Sequence, residues 1–248
     1  RAVGAPRPKE RFGDLITRAA RVQLGKPYHD APSPPGPETL ECHLGTFQCV
    51  SFVESSLALA RCIWSKRPDA ACFLAELTGL RYRDGQIDGY PSRLHYFEDW
   101  LADNARRGRL ELITQALGGR PATQVSTYMT AHPDRFPALV DPNVRAAIAA
   151  METRVTAMRP HVVERARVAA VERMLLDGDV VAITTVNEDI LVSHTGFITR
   201  DPDGVVRLLH ASSFRHQVVL SEHDLAQYVL RRPERGGVMV ARPLPPAF

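Results

Sequence analysis

Three residues of this 248-residue chain have types that could carry nucleophilic chemistry. Cys49 opens an apolar run in "FQCVSFVESSLALARCIW" (47–64), and His194 and His210 sit in "ILVSHTGFIT" and "VVRLLHASS". A cysteine becomes a nucleophile when a base about 3 Å away takes its proton and a third group fixes the tautomer of that base. A helix N-terminus and nearby imidazolium favour the thiolate, lowering a thiol pKa from about 8.5 to about 4–7. Taken one at a time, the same residues have other readings. Cys49 also fits a small core residue on an apolar helix, and each histidine fits a satisfied structural group. A metal set of one cysteine and two histidines lacks the close ligand pair in sequence that zinc sites show.

The elements that would position these residues follow from periodicity. Positions 49, 53, 57, 60 and 64 are Cys, Val, Leu, Ala and Trp at helical spacing with no Gly or Pro between them, which predicts a buried helix with Cys49 in its first turn. A short helix is expected near residues 9–24, followed by an irregular loop in the proline-rich "HDAPSPPGPET" (29–39). From about 80 to 176 the pattern reads as a largely helical elaboration, including "NVRAAIAAMETRVTAM" and "VVERARVAAVERML". After "DGD" (177–179), "VVAITT", "ILVSHTGFIT", "VVRLLHASS", "HQVVLS" and "GGVMVARPL" are short β-branched runs between turn signals, the pattern of an antiparallel sheet. The fold class expected is α+β, in a single domain over 1–248.

Between the two histidine strands lies "DPDG" (201–204). A three-residue loop closing Arg200 against Gly204 would set His194 directly opposite His210, with Cβ atoms about 5 Å apart. A two-residue loop would put them on opposite faces. If the Cys49 helix start packs on that face, cysteine, base and orienting group come together.

Composition narrows the partners. Formal net charge is +3, pI is near 8.8, and the basic residues are dispersed, so no nucleic-acid surface is indicated. No run approaches the roughly 18 apolar residues of a membrane span. The chain opens at Arg1 and shows no export signal, as it would if one had been removed. Cysteines 42, 49, 62 and 72 have no metal-finger spacing and are too few for a disulfide-built scaffold.

The order "LGKPY" (24–28), "FQCVSFVESSLALA" (47–60), "GYPSRLHYFEDWLADN" (89–104), "GDVVAITT" (178–185), "VSHTGF" (192–197) and "LLHASS" (208–213) closely resembles the N-acetylmuramoyl-L-alanine amidase-like family. That family belongs to the bacterial NlpC-type superfamily of papain-like cell-wall cysteine hydrolases, and the resemblance runs from about residue 20 to the C-terminus. It implies a papain-like fold, with the nucleophile helix packed on the C-terminal antiparallel sheet. Cys49 would be the nucleophile, His194 the general base, His210 its orienting partner, and Tyr28 a contributor to the oxyanion site. The implied reaction is hydrolysis of the amide between N-acetylmuramic acid and L-alanine in peptidoglycan or muropeptides, with no metal or organic cofactor. Other branches of the superfamily cut within the stem peptide, and an inactive cell-wall-binding module is a third reading. The implied location is the periplasm or cell envelope.

One position departs from the family pattern: the residue before the cysteine is commonly aspartate, a better N-cap, and here it is Gln48, with Thr46 as an alternative cap. In the stretch 82–104, Arg93 is a candidate for a substrate carboxyl or carbonyl, and His95, Tyr96 and Trp100 for a sugar face. Ser193, beside His194, is a further substrate-binding candidate. In an exported protein Cys62 and Cys72 are the pair best placed for a disulfide, with two separate buried thiols as the alternative.

Overall fold

The computed structural model describes residues 3–29 and 36–247. The expected 29–39 loop therefore lies outside the described residues over 30–35, and residues 36–40 have no regular structure. Helices α1 (Phe12–Arg21), α2 (Cys49–Trp64), α3 (Ala70–Arg81) and α4 (Phe97–Arg106) lead into β1 (Leu110–Leu112) and β2 (Arg120–Pro121). The single-turn α5 (Tyr128–Ala131), the long α6 (Pro142–Met158), β3 (His161–Glu164) and the short α7 (Val168–Val171) come next. The last third holds β4 (Val180–Thr185), β5 (Val192–Arg200), β6 (Val206–Ser212), β7 (Gln217–Leu220), α8 (Leu225–Leu230) and β8 (Arg235–Pro243).

All strands join one antiparallel sheet in the order β2-β3-β8-β4-β5-β6-β7, with β1 also pairing with β8. The apolar alternation gives this sheet two buried faces. Val180, Ala182, Phe197 and Leu209 pack with Phe52, Val53 and Leu57 of α2, where Phe52 meets Phe197 edge-on at 5.7 Å. Val181, Ile183, Ile198 and Leu208 pack on the other face with Leu225 and Val229 of α8 and Val168 and Val171 of α7. Burying one such side chain contributes about 1.5–3 kcal/mol, so both helical layers are held by the strand pattern itself.

The α+β architecture agrees with the sequence reading, and α2 begins at Cys49 as expected. Two findings differ from expectation, and a third decides between two alternatives that the sequence left open. Residues 161–164 of the "VVERARVAAVERML" region form a strand, because Val163 pairs with Val238 at the edge of β8, and the rest breaks into single turns. The 80–176 segment thus supplies three strands to the sheet as well as α6. The N-cap of α2 is Gln48, not Thr46, and its backbone N–H donates to Ser51 Oγ at 2.9 Å, so the first turn is closed without an aspartate. Cys62 and Cys72 form a disulfide with Cα atoms 5.9 Å apart, tying the end of α2 to the start of α3. Bridging residues ten apart is worth about 2–3 kcal/mol in the loop-entropy description.

Candidate active site

Cys49 is the first residue of α2, where backbone N–H groups have no helical acceptor and the helix dipole favours negative charge. Tyr28 is carried to this point by a chain path: Pro27 pairs with Gln217 at the edge of β7, and Tyr28 then pairs in parallel with Phe47. The Tyr28 N–H donates to the His216 carbonyl at 2.9 Å. A tyrosine and the start of the cysteine helix are thus fixed side by side through the sheet edge.

The two histidines meet, though not in the expected register. The β5–β6 ladder pairs Arg200 with Val206 and Phe197 with Leu209, leaving a five-residue connection rather than three. The shift is two residues, so the parity survives and both side chains stay on one face, diagonally placed. His194 Nε2 lies 2.6 Å from His210 Nδ1, with the rings edge-to-face. In this register Gly196 stands opposite His210. A Cβ at Gly196 would lie 2.9 Å from the His210 Cβ and 2.7 Å from the Leu209 carbonyl oxygen, so the glycine makes room for the histidine.

Strand alternation also sets which sheet face carries the histidines and which the body of α2. His194 pairs with Ile183, and His210 is in phase with Leu208, so both project from the α8 face, whereas α2 packs on the Phe197 and Leu209 face. Cys49 and His194 nevertheless line one cavity of about 160 Å³. The successive residues Ser193, His194 and Thr195 all border it, so it wraps the beginning of β5 and joins the two faces there. Ser193 is exposed at this rim.

Burial holds both imidazoles neutral at pH 7. It pushes His194 down to about 4, with Arg235 adding to the shift, and it pushes His210 well below its usual value, helped by His194 and Arg235. Neutrality has a structural consequence. Between two neutral imidazoles one of these nitrogens carries the proton and the other accepts it; in the tautomer with the proton on His194 Nε2, His210 accepts at Nδ1 and Nδ1 of His194 is the basic nitrogen. Tyr228 lies edge-on to His210 at 5.4 Å, and the Arg235 guanidinium covers the Tyr228 ring at 3.8 Å. Neither Tyr228 nor Arg235 carries a motif signal; only the fold brings α8 and the start of β8 over the histidines.

The stretch 82–104 divides differently from expectation. Trp100 is fully buried, stacked on Phe97 at 4.8 Å, and offers no face to a sugar. Tyr96 is also buried; its ring borders the cavity, and its hydroxyl donates to Glu152 Oε1 at 2.6 Å, anchoring the wall to α6. His95 borders both this cavity and an adjoining one of about 260 Å³; its Nε2 is 2.9 Å from the Tyr90 carbonyl, and burial lowers its pKa to about 4. Arg93 lines the larger space, but its Nε already donates to Glu38 at 2.8 Å. Among the described residues no group of three or more His, Cys, Asp or Glu side chains is placed to hold a metal, and no helix is long and apolar enough to cross a membrane.

Comparison with known proteins adds a family. The model of the AmiA-like, N-acetylmuramoyl-L-alanine amidase-like family matches residues 18–238. Two crystal structures of an N-acetylmuramoyl-L-alanine amidase from Bacteroides uniformis are 30% identical to the chain, each with a TM-score of 0.88. One alignment covers 94% of this chain and 99% of the other, and the second covers 95% and 100%. A structure from Bacteroides fragilis, provisionally named a xylanase, is 30% identical with a TM-score of 0.83, covering 90% of this chain and 99% of its own. No curated protein sequence matches the chain.

Proposed function

Since the chain belongs to the N-acetylmuramoyl-L-alanine amidase-like family, we propose that it is a cysteine-dependent hydrolase of papain-like mechanism, acting in the bacterial envelope on the amide between the lactyl carbonyl of N-acetylmuramic acid and L-alanine. The observation that carries this reading is the contact of His194 Nε2 with His210 Nδ1 at 2.6 Å, beside a cavity shared by His194 and Cys49.

In this mechanism Nδ1 of His194 takes the Cys49 proton, and the sulfur attacks the lactyl carbonyl carbon. The resulting oxyanion would be held by the Cys49 backbone N–H at the helix start and by the Tyr28 hydroxyl. Collapse breaks the C–N bond, and the proton on His194 passes to the departing amine of L-alanine. Water, deprotonated by the same nitrogen, then attacks the thioester, releasing the muramic carboxylic acid and restoring the thiol. Throughout, His210 holds the His194 ring by accepting at Nδ1.

Glycoside hydrolysis has less support from this geometry, because it uses a pair of carboxyl groups flanking the bond, and among the described residues no carboxylate borders the cavity shared by Cys49 and His194.

The test is mass spectrometry of a muropeptide digest. Wild type should release free L-alanyl peptide and intact N-acetylmuramic acid, whereas Cys49→Ala and His194→Ala should each lose at least about a thousandfold in rate with unchanged circular dichroism. Full turnover by Cys49→Ala would end the cysteine mechanism. Efficient cleavage of a sugar-free stem peptide would move the reaction into the peptide.

A further inference from the structure

On the histidine face, beyond His210, lies a second cleft of about 430 Å³. His210 and Tyr228 form its inner end, and Arg215, Arg231, Arg232 and Arg235 border it. One carboxylate, Glu222, also borders it, and that group is ion-paired with Arg215. Arg232 faces the exposed Glu234 only at 4.0 Å. Arg231 and Arg235 have no ion-pair partner among the described residues, and Arg235 is half-buried. Its guanidinium is held over the Tyr228 ring and donates to the Tyr228 carbonyl oxygen. Glu234 acts on Arg235 only at a distance, and a partly desolvated guanidinium without an ion-paired carboxylate is unfavourable on its own and becomes favourable when an anion binds it.

We infer that this arginine cleft is the subsite for the carboxylate-bearing peptide portion of the substrate, with Arg235 as the inner anchor and Arg231 and Arg232 as the outer ones. The inference rests on the reading of the protein as a muropeptide hydrolase and adds to it a division of the substrate. The scissile amide lies at Cys49, the acidic peptide extends along the histidine face past His210, and the sugar is left to the spaces bordered by Ser193, His95 and Gln48. A planar guanidinium fork suits a carboxylate in two-point contact, and the neighbouring cations raise the local concentration of acidic peptides.

The experiment compares N-acetylmuramoyl-L-alanyl-D-glutamate with the same glycopeptide amidated at both carboxyl groups. Wild type is expected to favour the acid by about tenfold or more in kcat/KM, chiefly through KM, and the preference should shrink as salt is raised. Arg235→Gln, and separately the double variant Arg231→Gln with Arg232→Gln, should reduce that preference to about twofold or less. The amidated substrate reports any general damage to catalysis within the same protein. Equal use of the two substrates by wild type, or a preference retained by both variants, overturns the subsite. A second arm separates this outcome from failure of the amidase reading: calorimetric titration of L-alanyl-D-glutamate into Cys49→Ala protein, with and without Arg235→Gln. Binding that disappears with Arg235→Gln, in a protein whose wild type does not cut the lactyl amide, keeps the subsite and discards the assigned bond. Absence of binding to the Cys49→Ala protein overturns the subsite.

Discussion

The two flanks of Cys49 are both rich in arginine, and they handle it in opposite ways. On the α4 side, Arg81 donates to Glu54 at 2.8 Å and Arg93 to Glu38 at 2.8 Å, and both carboxylates are almost fully buried, at 3% and 4% side-chain exposure. On the α8 side, Arg231 and Arg235 have no ion-pair partner among the described residues, and Glu234 reaches Arg235 only through its longer-range field. Equal residue types thus do different work: the paired arginines are part of the wall, and the unpaired ones are available to something that comes from outside. The difference is measurable, because a paired arginine should show its removal in stability and an unpaired one in substrate discrimination.

The largest stability effect is expected at Arg81. Its partner Glu54 sits on α2 one turn beyond Cys49, and Arg81 Nη1 also donates to the Glu41 carbonyl oxygen. Arg81→Ala leaves a carboxylate buried without its cation, for which a loss of about 3 kcal/mol is expected by urea unfolding. A loss below about 1 kcal/mol would mean that the wall does not depend on this pair, and the contrast between the flanks would fail on this side.

Arg93 is more exposed than Arg81, 22% against 10%, and its guanidinium also lies 5.9 Å from the Tyr82 ring centre. Arg93→Ala should destabilise by about 2 kcal/mol, and combining it with Glu38→Ala should cost less than the sum of the two single changes. The acid-to-amide preference in kcat/KM should remain at its wild-type value. A collapse of that preference in Arg93→Ala, at unchanged stability, would transfer carboxylate recognition to the α4 flank and reverse the comparison.

How much of this could be read from the sequence depended on the range of the interactions involved. The helix at Cys49 and the five runs after residue 177 follow local periodicity, and the structure places α2 and β4–β8 there. β1, β2 and β3 have at most four residues each, and they exist through pairing with one another or with β8, so no local pattern announces them. The apolar spacing of Val163, Val168, Val171 and Leu175 imitates a helix, and edge pairing to Val238 overrides it. Motif order pointed to Cys49, His194 and His210, and the structure brings the two histidines into contact and sets His194 beside a cavity that Cys49 also lines. A register error of two residues left the histidines on a common face because side chains alternate with period two. Their relation to α2 was not readable, since it depends on which sheet face the helix covers. Aromatic type gave no sign that Trp100 is core, and the Glu38 that occupies Arg93 is 55 residues away in the chain.

The smallest stability effect, and the sharpest contrast with Arg81, is expected at Arg235. Removing a half-buried cation that has no carboxylate partner deletes an unfavourable group along with a ring contact, so Arg235→Gln should change unfolding stability at pH 7 by less than about 1 kcal/mol. Its effect should appear in titration. The folded-state pKa of His194 lies near 4, burial being the larger cause and Arg235 the second. A histidine whose folded pKa lies below its unfolded value near 6.5 is neutral in both states at high pH. As the pH falls from about 6.5 towards 4, the unfolded chain takes up the proton first, and stability is lost across that window. Without the positive field of Arg235 the folded pKa should rise, the window should narrow from its lower end, and the variant should keep more of its neutral-pH stability at pH 5 than wild type does. Carbon-bound imidazole proton shifts followed by NMR from pH 7 to 3.5, together with urea midpoints at pH 7 and 5, measure both quantities. An unchanged His194 midpoint, or a loss at pH 7 as large as that of Arg81→Ala, would show that Arg235 belongs with the wall arginines after all.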